Sequence, residues 1–272
     1  MISTRARFLT PAFVLGGFLG ALASQPASAG DVFGDGPINL QVGGIVMVMP
    51  KYEGAKDYEV IGVPFVAPAG FGDNGRVQFR GPEDLRFRLI EYYGFEAGPL
   101  AGWRFDRDEN DSSHLDGLGD VDGGLVAGGY VAYRAGPFLP FVSYHHQVTG
   151  DDTGAMLRFG AEAKAPIWDG FTLTATAGAT WADDDYMDAY FTVTGLQSAA
   201  TRGRLDLYDA EAGIKDVFIG LSGDLPLTAD WTLKLSGRYV RLVGDAADSP
   251  IVEQENQFYG GLGLTYRFSF DR

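Results

Sequence analysis

Hydrophobic and polar residues alternate one by one along most of the chain beyond residue 30. Between residues 171 and 181 the odd positions are apolar, whereas the even positions are threonine or glycine. The same period of two recurs over residues 155–165, 231–239 and 258–270. This period predicts β-strands with one apolar face and one polar face.

The lengths of these strands and of their connections favour a membrane barrel over a soluble sandwich, which also alternates. Strands in soluble sheets average about five or six residues, whereas a tilted strand needs about 9–11 residues to cross a bilayer. Short connections such as 135–137 and 168–170 alternate with long acidic ones such as 106–119 and 183–204. Aromatic residues also cluster at the strand ends, as in the girdles of outer-membrane barrels.

The pattern predicts an all-β fold, a transmembrane antiparallel up-and-down β-barrel of about 12 strands. An even number places both termini on the periplasmic side and every long acidic connection outside the cell. Within the predicted strand 205–223 the alternation shifts near Lys215 and Asp216, which predicts a β-bulge. The strands are predicted near residues 38–49, 57–67, 75–80, 85–90, 94–106, 119–134, 138–149, 154–166, 171–182, 205–223, 230–243 and 256–270.

The first 29 residues are predicted to be a signal peptide. Arg5 and Arg7 precede an apolar stretch over residues 8–23, and Ala27-Ser28-Ala29 matches a small-residue cleavage site. Residues 30–272 would then form the barrel. The segment 264–270 resembles the aromatic C-terminal signal by which outer-membrane barrels are recognised for insertion, except that Asp271 and Arg272 follow it.

The composition narrows the possible functions. The chain has no cysteine, so disulfides and thiolate metal sites are excluded. A net charge of −15 argues against nucleic-acid binding, which needs a basic face. We predict neither a cofactor nor a bound metal.

Two motifs that contain histidine are candidates for catalysis or metal binding. His145 shares a strand face with Ser143, and His114 lies in an acidic loop near Asp108 and Asp116. A hydrolase needs a third group that orients the imidazole, and a cation site needs several oxygen ligands at fixed positions. We interpret the first pair as ordinary lumen residues and the acidic loop as solvated, so the chain is predicted not to be an enzyme.

Charged residues on the inward faces of the predicted strands are the candidate functional site. Because they can pair across the lumen, we favour a plugged barrel or narrow pore over a selective channel. The candidate lumen charges are Arg86, Arg88, Arg104, Arg134, Arg158, Glu162, Lys164, Lys234, Arg238 and Arg267.

Several segments resemble the MipA/OmpV family of outer-membrane barrels, in the family's order along the chain. The stretch Gly244-Asp245-Ala246-Ala247-Asp248-Ser249-Pro250 is the most specific of them. Ala55 and Thr192 depart from the residues frequent in the family. The other segments are residues 50–54, 97–100 with Arg104 and Arg107, 115–122, 189–194, 213–217, and the remainder of 242–252.

The resemblance implies a non-catalytic protein of the Gram-negative outer membrane, in contact with outer-membrane lipid and lipopolysaccharide. The family's namesake is a scaffold that links a lytic murein transglycosylase to a peptidoglycan synthase, so these enzymes are the expected partners. A narrow pore for small charged solutes, and a surface adhesin or antigen, are the alternatives.

Overall fold

The computed structural model describes residues 38–68, 76–150, 153–168 and 170–270. The predicted signal peptide, 1–29, lies outside the described residues. The strands of the sheet are β1 Ile38–Pro50, β2 Tyr58–Pro68, β3 Val77–Gly81, β4 Asp84–Phe87, β5 Ile90–Tyr92, β6 Phe95–Arg104, β7 Gly124–Tyr133, β8 Phe138–Gln147, β9 Ala155–Trp168, β10 Phe171–Ala182, β11 Gly213–Pro226, β12 Trp231–Leu242 and β13 Asn256–Phe270.

These strands form one antiparallel sheet in the order β2-β1-β13-β12-β11-β10-β9-β8-β7-β6-β4-β3, with β5 also paired to β6. The first strand pairs with the last, from Ile38 opposite Phe270 to Val48 opposite Gly260. Strands β4 and β5 both pair with β6, so they are two parts of one interrupted strand. The up-and-down barrel of about 12 strands is therefore confirmed. In the part of the chain that is described, no helix has the length and apolarity to span a membrane.

The bulge predicted near Lys215 and Asp216 is present. Thr180 of β10 pairs with Asp216 of β11, whereas the next residue, Trp181, pairs with Ile214, which leaves Lys215 as the extra residue. The predicted start of this strand was wrong, because β11 begins at Gly213 and not at residue 205. Likewise β7 begins at Gly124 and not at residue 119.

The long connections fold over one end of the barrel. We call residues 51–57, 105–123, 183–212 and 243–255 the cap. It contains three short helices, α1 Asp184–Phe191, α2 Gly195–Ala200 and α3 Gly244–Asp248, and a 3-10 turn over Glu109–Asp111. The opposite end carries the short turns, such as 134–137 and 227–230, so the predicted asymmetry of the connections is confirmed.

Side chains of the cap bury two hydrophobic cores of their own. One core surrounds α1 and includes Met187 and Phe191, which pack against Leu242 at the end of β12. The other joins all four connections through Tyr52, Leu115, Val193 and Ile251, and the last three of these side chains are fully buried. The cap is therefore a packed structure and not a set of solvated loops.

Hydrogen-bonding side chains start the two longer cap helices. Asp183 accepts a hydrogen bond from the Tyr186 backbone N–H at 3.0 Å and so caps α1. Thr194 and Gln197 form a capping box at the start of α2. Both capping signals are present in the sequence. The alternation of the flanking strands, however, predicts only loops between them.

Candidate functional site: the lumen beneath the cap

A cavity of about 460 Å³ occupies the barrel beneath the cap. Tyr52 and Tyr186 line its cap end, and Asp224 and Lys234 line it toward the short-turn end. This volume is within the range of about 300–1,000 Å³ typical of small-molecule sites. The lumen is thus narrowed by side chains without being completely filled.

The structure places most of the candidate lumen charges away from bulk solvent. Arg86, Arg104 and Glu162 are buried, whereas Arg267 is exposed. The remaining candidates, Arg88, Arg134, Arg158, Lys164, Lys234 and Arg238, are partly buried. Six of the ten line the cavity, namely Arg86, Arg104, Arg158, Glu162, Lys234 and Arg238.

Arg86 is the centre of a polar cluster inside the barrel. Its Nε and Nη2 donate to the two carboxylate oxygens of Asp84 at 2.7 and 2.9 Å, a two-point ion pair. The guanidinium carbon lies 4.9 Å from the ring centres of both Tyr130 and Phe141. Aromatic contacts on both sides and a bidentate carboxylate hold this cation rigidly inside the barrel.

Other charges inside the barrel also pair with side chains from other parts of the wall. Arg104 Nε lies 3.2 Å from Glu83 Oε1, and Lys234 Nζ lies 2.6 Å from Asp224 Oδ2. A third pair joins Glu162 to Arg80 at 2.9 Å. Removing one member of a buried pair typically costs about 3–5 kcal/mol, because the other charge is left uncompensated.

A second cluster, which we call the latch, fastens the cap to the wall. Glu53 of the cap forms an ion pair with Lys215, the bulged residue of β11, and accepts a hydrogen bond from the Tyr186 hydroxyl at 2.8 Å. Lys215 also lies 2.9 Å from Asp216 Oδ2, and Asp216 accepts from Thr180 at 2.9 Å. The alternation of the sequence predicts the bulge at Lys215. It does not predict the latch, because it gives no information about the partner of an inward lysine.

Aromatic residues of α1 close the cap end of the cavity. The Arg104 guanidinium lies 4.8 Å from the ring centre of Tyr186, whose ring stacks on that of Tyr190 at 4.6 Å. Burial raises the pKa of Tyr190 to about 12 and also raises that of Tyr186, so both phenols are neutral at physiological pH. The Tyr186 hydroxyl donates to Glu53, and both rings serve as apolar walls and not as charged groups.

Ser143 and His145 are hydrogen-bonded but enclosed. His145 Nδ1 is 3.1 Å from the backbone oxygen of Glu83, which can only accept, so Nε2 accepts from the Ser143 hydroxyl at 2.9 Å. Both side chains are 1% exposed or less, and neither is among the described residues that line the cavity. Their visible role is to hold the turn between β3 and β4 against β8.

His114 connects two segments of the cap. Its Nε2 donates to the backbone oxygen of Pro250 at 2.9 Å, and its Nδ1 is 3.9 Å from Glu253 Oε1. Asp108, which the sequence offered as a partner, instead caps the 3-10 turn. Within the described residues no group of three or more histidine, aspartate or glutamate side chains is arranged to hold a metal ion.

Most of the segments that carry the family resemblance meet in the cap. Tyr52, Leu115, Val193 and Ile251, which are far apart in the sequence, belong to the same hydrophobic core. The specific stretch that begins at Gly244 forms α3, and Ser249 after it donates to the backbone oxygen of Phe191 at 2.6 Å. The cap is therefore the place where these separate segments become one structure.

An up-and-down barrel with long strands, an apolar outer face and one capped end defines the class of outer-membrane β-barrels. The family model of the MltA-interacting protein MipA matches residues 42–268, and the chain belongs to this family. It is a protein of the outer membrane, as the names of its relatives also indicate.

Two relatives and one solved structure illustrate the similarity. OmpV of Vibrio cholerae is 31% identical over 96 residues, 35% of this chain and 36% of the relative. The MltA-interacting protein of Escherichia coli is 28% identical over 99 residues, 36% of this chain and 39% of the relative. Each alignment thus spans well under half of the relative's length. The translocator domain of the autotransporter NalP from Neisseria meningitidis aligns at 11% identity and a TM-score of 0.39, covering 85% of this chain and 88% of that domain.

Proposed function

We propose that the protein is a non-catalytic scaffold that tethers peptidoglycan-remodelling enzymes at the inner face of the outer membrane. Its partners would be a lytic murein transglycosylase and a peptidoglycan synthase, with outer-membrane lipid and lipopolysaccharide around the barrel wall. The observation that carries this proposal is the family match over residues 42–268, together with the name of the E. coli relative as an MltA-interacting protein.

The chemistry of the lumen supports a non-catalytic role. The one serine–histidine hydrogen bond identified above is enclosed, so a substrate has no path to the Ser143 hydroxyl. A nucleophile must lie within reach of the reacting atom, and a buried one cannot. Buried cations such as Arg86 and Arg104 are instead paired with carboxylates of the barrel interior, as a rigid membrane anchor requires.

The docking surface would be the short-turn end, which faces the periplasm if both termini do. The turn between β5 and β6 presents Tyr92 and Tyr93, which are 68% and 82% exposed. Tyrosine is enriched at protein interfaces, because it combines a large apolar area with a hydroxyl group. A stable interface buries at least about 1,000 Å² in total, so several short turns and the segment 30–37 would have to contribute together.

The test is a pull-down of purified transglycosylase and synthase with the intact barrel in nanodiscs. The variant Tyr92→Ser/Tyr93→Ser should retain at least tenfold less enzyme. Leu196→Ser is the matched control, since Leu196 is exposed on α2 in the cap at the opposite end. Equal retention by the two variants, or loss with the cap variant alone, would remove the short-turn end as the docking surface.

A narrow pore for small charged solutes is the second candidate, and the partly open cationic lumen favours it. Planar-bilayer recordings of the purified barrel test it directly. Steady conductance that changes in Arg158→Ala, without retention of either enzyme, would replace the scaffold by a pore. A silent bilayer with retained transglycosylase would support the scaffold.

A further inference from the structure

The cavity has more cationic than anionic groups available for a ligand. Most of its basic side chains are paired: Arg86 with Asp84, Arg104 with Glu83, and Lys234 with Asp224. Two arginines that line the same cavity differ from these. The groups around these two arginines, Arg158 and Arg238, determine which ligands the cavity can bind.

Arg158 and Arg238 lack close carboxylate partners. Arg158 Nη1 is 3.8 Å from Asp84 Oδ2, a carboxylate already held at both oxygens by Arg86, and its buried Nε has no hydrogen-bond acceptor. Arg238 stacks 3.9 Å over the ring of Phe218, and within the described residues no carboxylate is in ion-pair contact with it. Guanidinium groups of this kind are suited to a carboxylate or a phosphate.

The wall beside Arg238 has an apolar side and a polar side. On β13, Gly261 and Gly263 line the cavity, and the register places Ser236 and Lys234 of β12 beside them. On the other side, β1 places Met47 opposite Gly261 and Ile45 opposite Gly263.

The two glycines allow side chains of the neighbouring strands to lie over β13. A Cβ at Gly263 would lie 2.9 Å from Cγ1 of Ile45, and one at Gly261 would lie 2.4 Å from the Ser236 hydroxyl oxygen, so neither position has room for a side chain. This part of the cavity wall therefore presents apolar groups toward β1 and polar and cationic groups toward β12.

From this arrangement we propose that the lumen binds an amphipathic anion with a single acyl chain. The anionic head lies between Arg158 and Arg238, and the chain lies against Ile45 and Met47. Burial of the acyl chain against the apolar side favours binding. The head group supplies the anionic partner that these two arginines lack. This binding is independent of the proposed scaffold role, because it uses the interior and not the short turns.

Isotope-labelled decanoate tests the proposal with the folded barrel in nanodiscs. Binding is followed by the chemical shift of the ¹³C-carboxyl group, and empty nanodiscs correct for partitioning into lipid. We expect saturable binding, with decanol and propionate each at least about tenfold weaker, since one lacks the charge and the other the chain. Decyl phosphate distinguishes a carboxylate head from a phosphate head.

Substitutions identify the site. Arg238→Gln and Arg158→Gln should each weaken decanoate binding by about ten- to a hundredfold, the expected effect of losing a hydrogen bond between two charges. Met47→Gln should weaken decanoate but not the binding of short anions. Arg241→Gln is the matched control, because Arg241 lies on the same strand but is exposed and paired with Glu255 at 3.0 Å. All variants must first show the heat-dependent gel mobility of a folded barrel.

Three outcomes would overturn the proposal. The first is that decanol binds as tightly as decanoate. The second is that propionate binds as tightly as decanoate, which would make the site one for small anions. The third is equal affinity of Arg238→Gln and Arg241→Gln for decanoate. Loss of enzyme retention in the pull-down, with decanoate binding intact, would remove the scaffold without affecting this site.

Discussion

The barrel wall and the cap are stabilised in different ways. The wall exposes its apolar residues outward, as in β8, where Val142 and Tyr144 are exposed while Ser143 and His145 are buried. The cap does the reverse, since it buries Phe191, Leu115 and Ile251 in its interior. The wall therefore depends on lipid to cover its apolar face, whereas the cap has the core of a small soluble domain.

The two regions also specify their folds in different ways. In the wall, an alternating pattern and the backbone pairing of neighbours are sufficient, and many apolar residues are interchangeable. In the cap, segments from four connections must meet, and each contributes side chains of particular size. The latch between Glu53 and Lys215 is where the two regions are joined.

The substitution with the greatest predicted loss of stability should destabilise the cap and leave the barrel wall folded. Phe191→Ala removes a fully buried ring from the core around α1, and should lower the stability of the cap by about 3–5 kcal/mol. Hydrogen exchange over residues 183–212 should rise, while the barrel keeps its heat-dependent gel mobility. Leu196→Ala, at a position that is 86% exposed, should change exchange little. Loss of the folded barrel in Phe191→Ala would show that the wall depends on the cap.

A slightly smaller loss of stability is expected from a substitution that acts on the barrel wall alone. Ala177→Arg places a charge on the exposed outer face of β10 and should cost about 2–4 kcal/mol near the bilayer midplane. Thr176→Arg, one residue away, points into the cavity and should cost less. Urea titration of the protein in vesicles measures both. Equal losses would contradict the assigned faces of this strand.

The sequence predicted the wall better than the cap, for a physical reason. Alternation is a local property, so the strands and the bulge at Lys215 could be read from neighbouring residues. The cap depends on contacts between residues far apart, such as the hydrogen bond from Ser249 to Phe191. Its helices are short, and only their capping residues, such as Asp183, mark them.

The lumen was predicted only in part, because facing inward does not determine a partner. Arg86 and Arg104 were identified as inward cations. Their partners lie where β3 turns into β4, Glu83 in the turn and Asp84 as the first residue of β4, and the alternation gives no signal there. Arg267 was expected in the lumen on parity alone, and it is exposed near the end of β13.

An intermediate effect is expected where the wall passes into the cap. Asp183 caps α1 through the Tyr186 N–H and also accepts from the backbone N–H of Ala155 at 2.8 Å. Asp183→Ala should therefore destabilise α1 by about 1 kcal/mol and speed hydrogen exchange over Asp184–Phe191. Asp183→Asn keeps an acceptor and should recover most of the loss. If both variants behave alike, the negative charge and not the capping hydrogen bond is what matters.

The smallest effect is a pH dependence confined to the cap. Glu253 accepts hydrogen bonds from Tyr52 at 3.0 Å and from Lys56 at 2.6 Å. Burial alone would raise the pKa of Glu253, but the hydrogen bonds from Lys56 and Tyr52 outweigh it, so the pKa lies below its usual range. A carboxyl group with a lowered pKa stabilises the folded state above its unfolded value of about 4.3, and this contribution is lost as the pH falls through the folded value.

Acidification from pH 5 to pH 3 should therefore increase hydrogen exchange over residues 51–57 beyond the intrinsic change with pH, while exchange in the wall strands follows the intrinsic change alone. The increase should be small, because Lys56 is 61% exposed and its ion pair is screened by solvent. Glu253→Gln retains an acceptor for Tyr52 but cannot titrate, so its exchange over the same residues should lose the additional pH dependence. If the additional pH dependence of hydrogen exchange persists in Glu253→Gln, another titrating group of the cap causes it. The difference in pH response between wall and cap would then not come from Glu253.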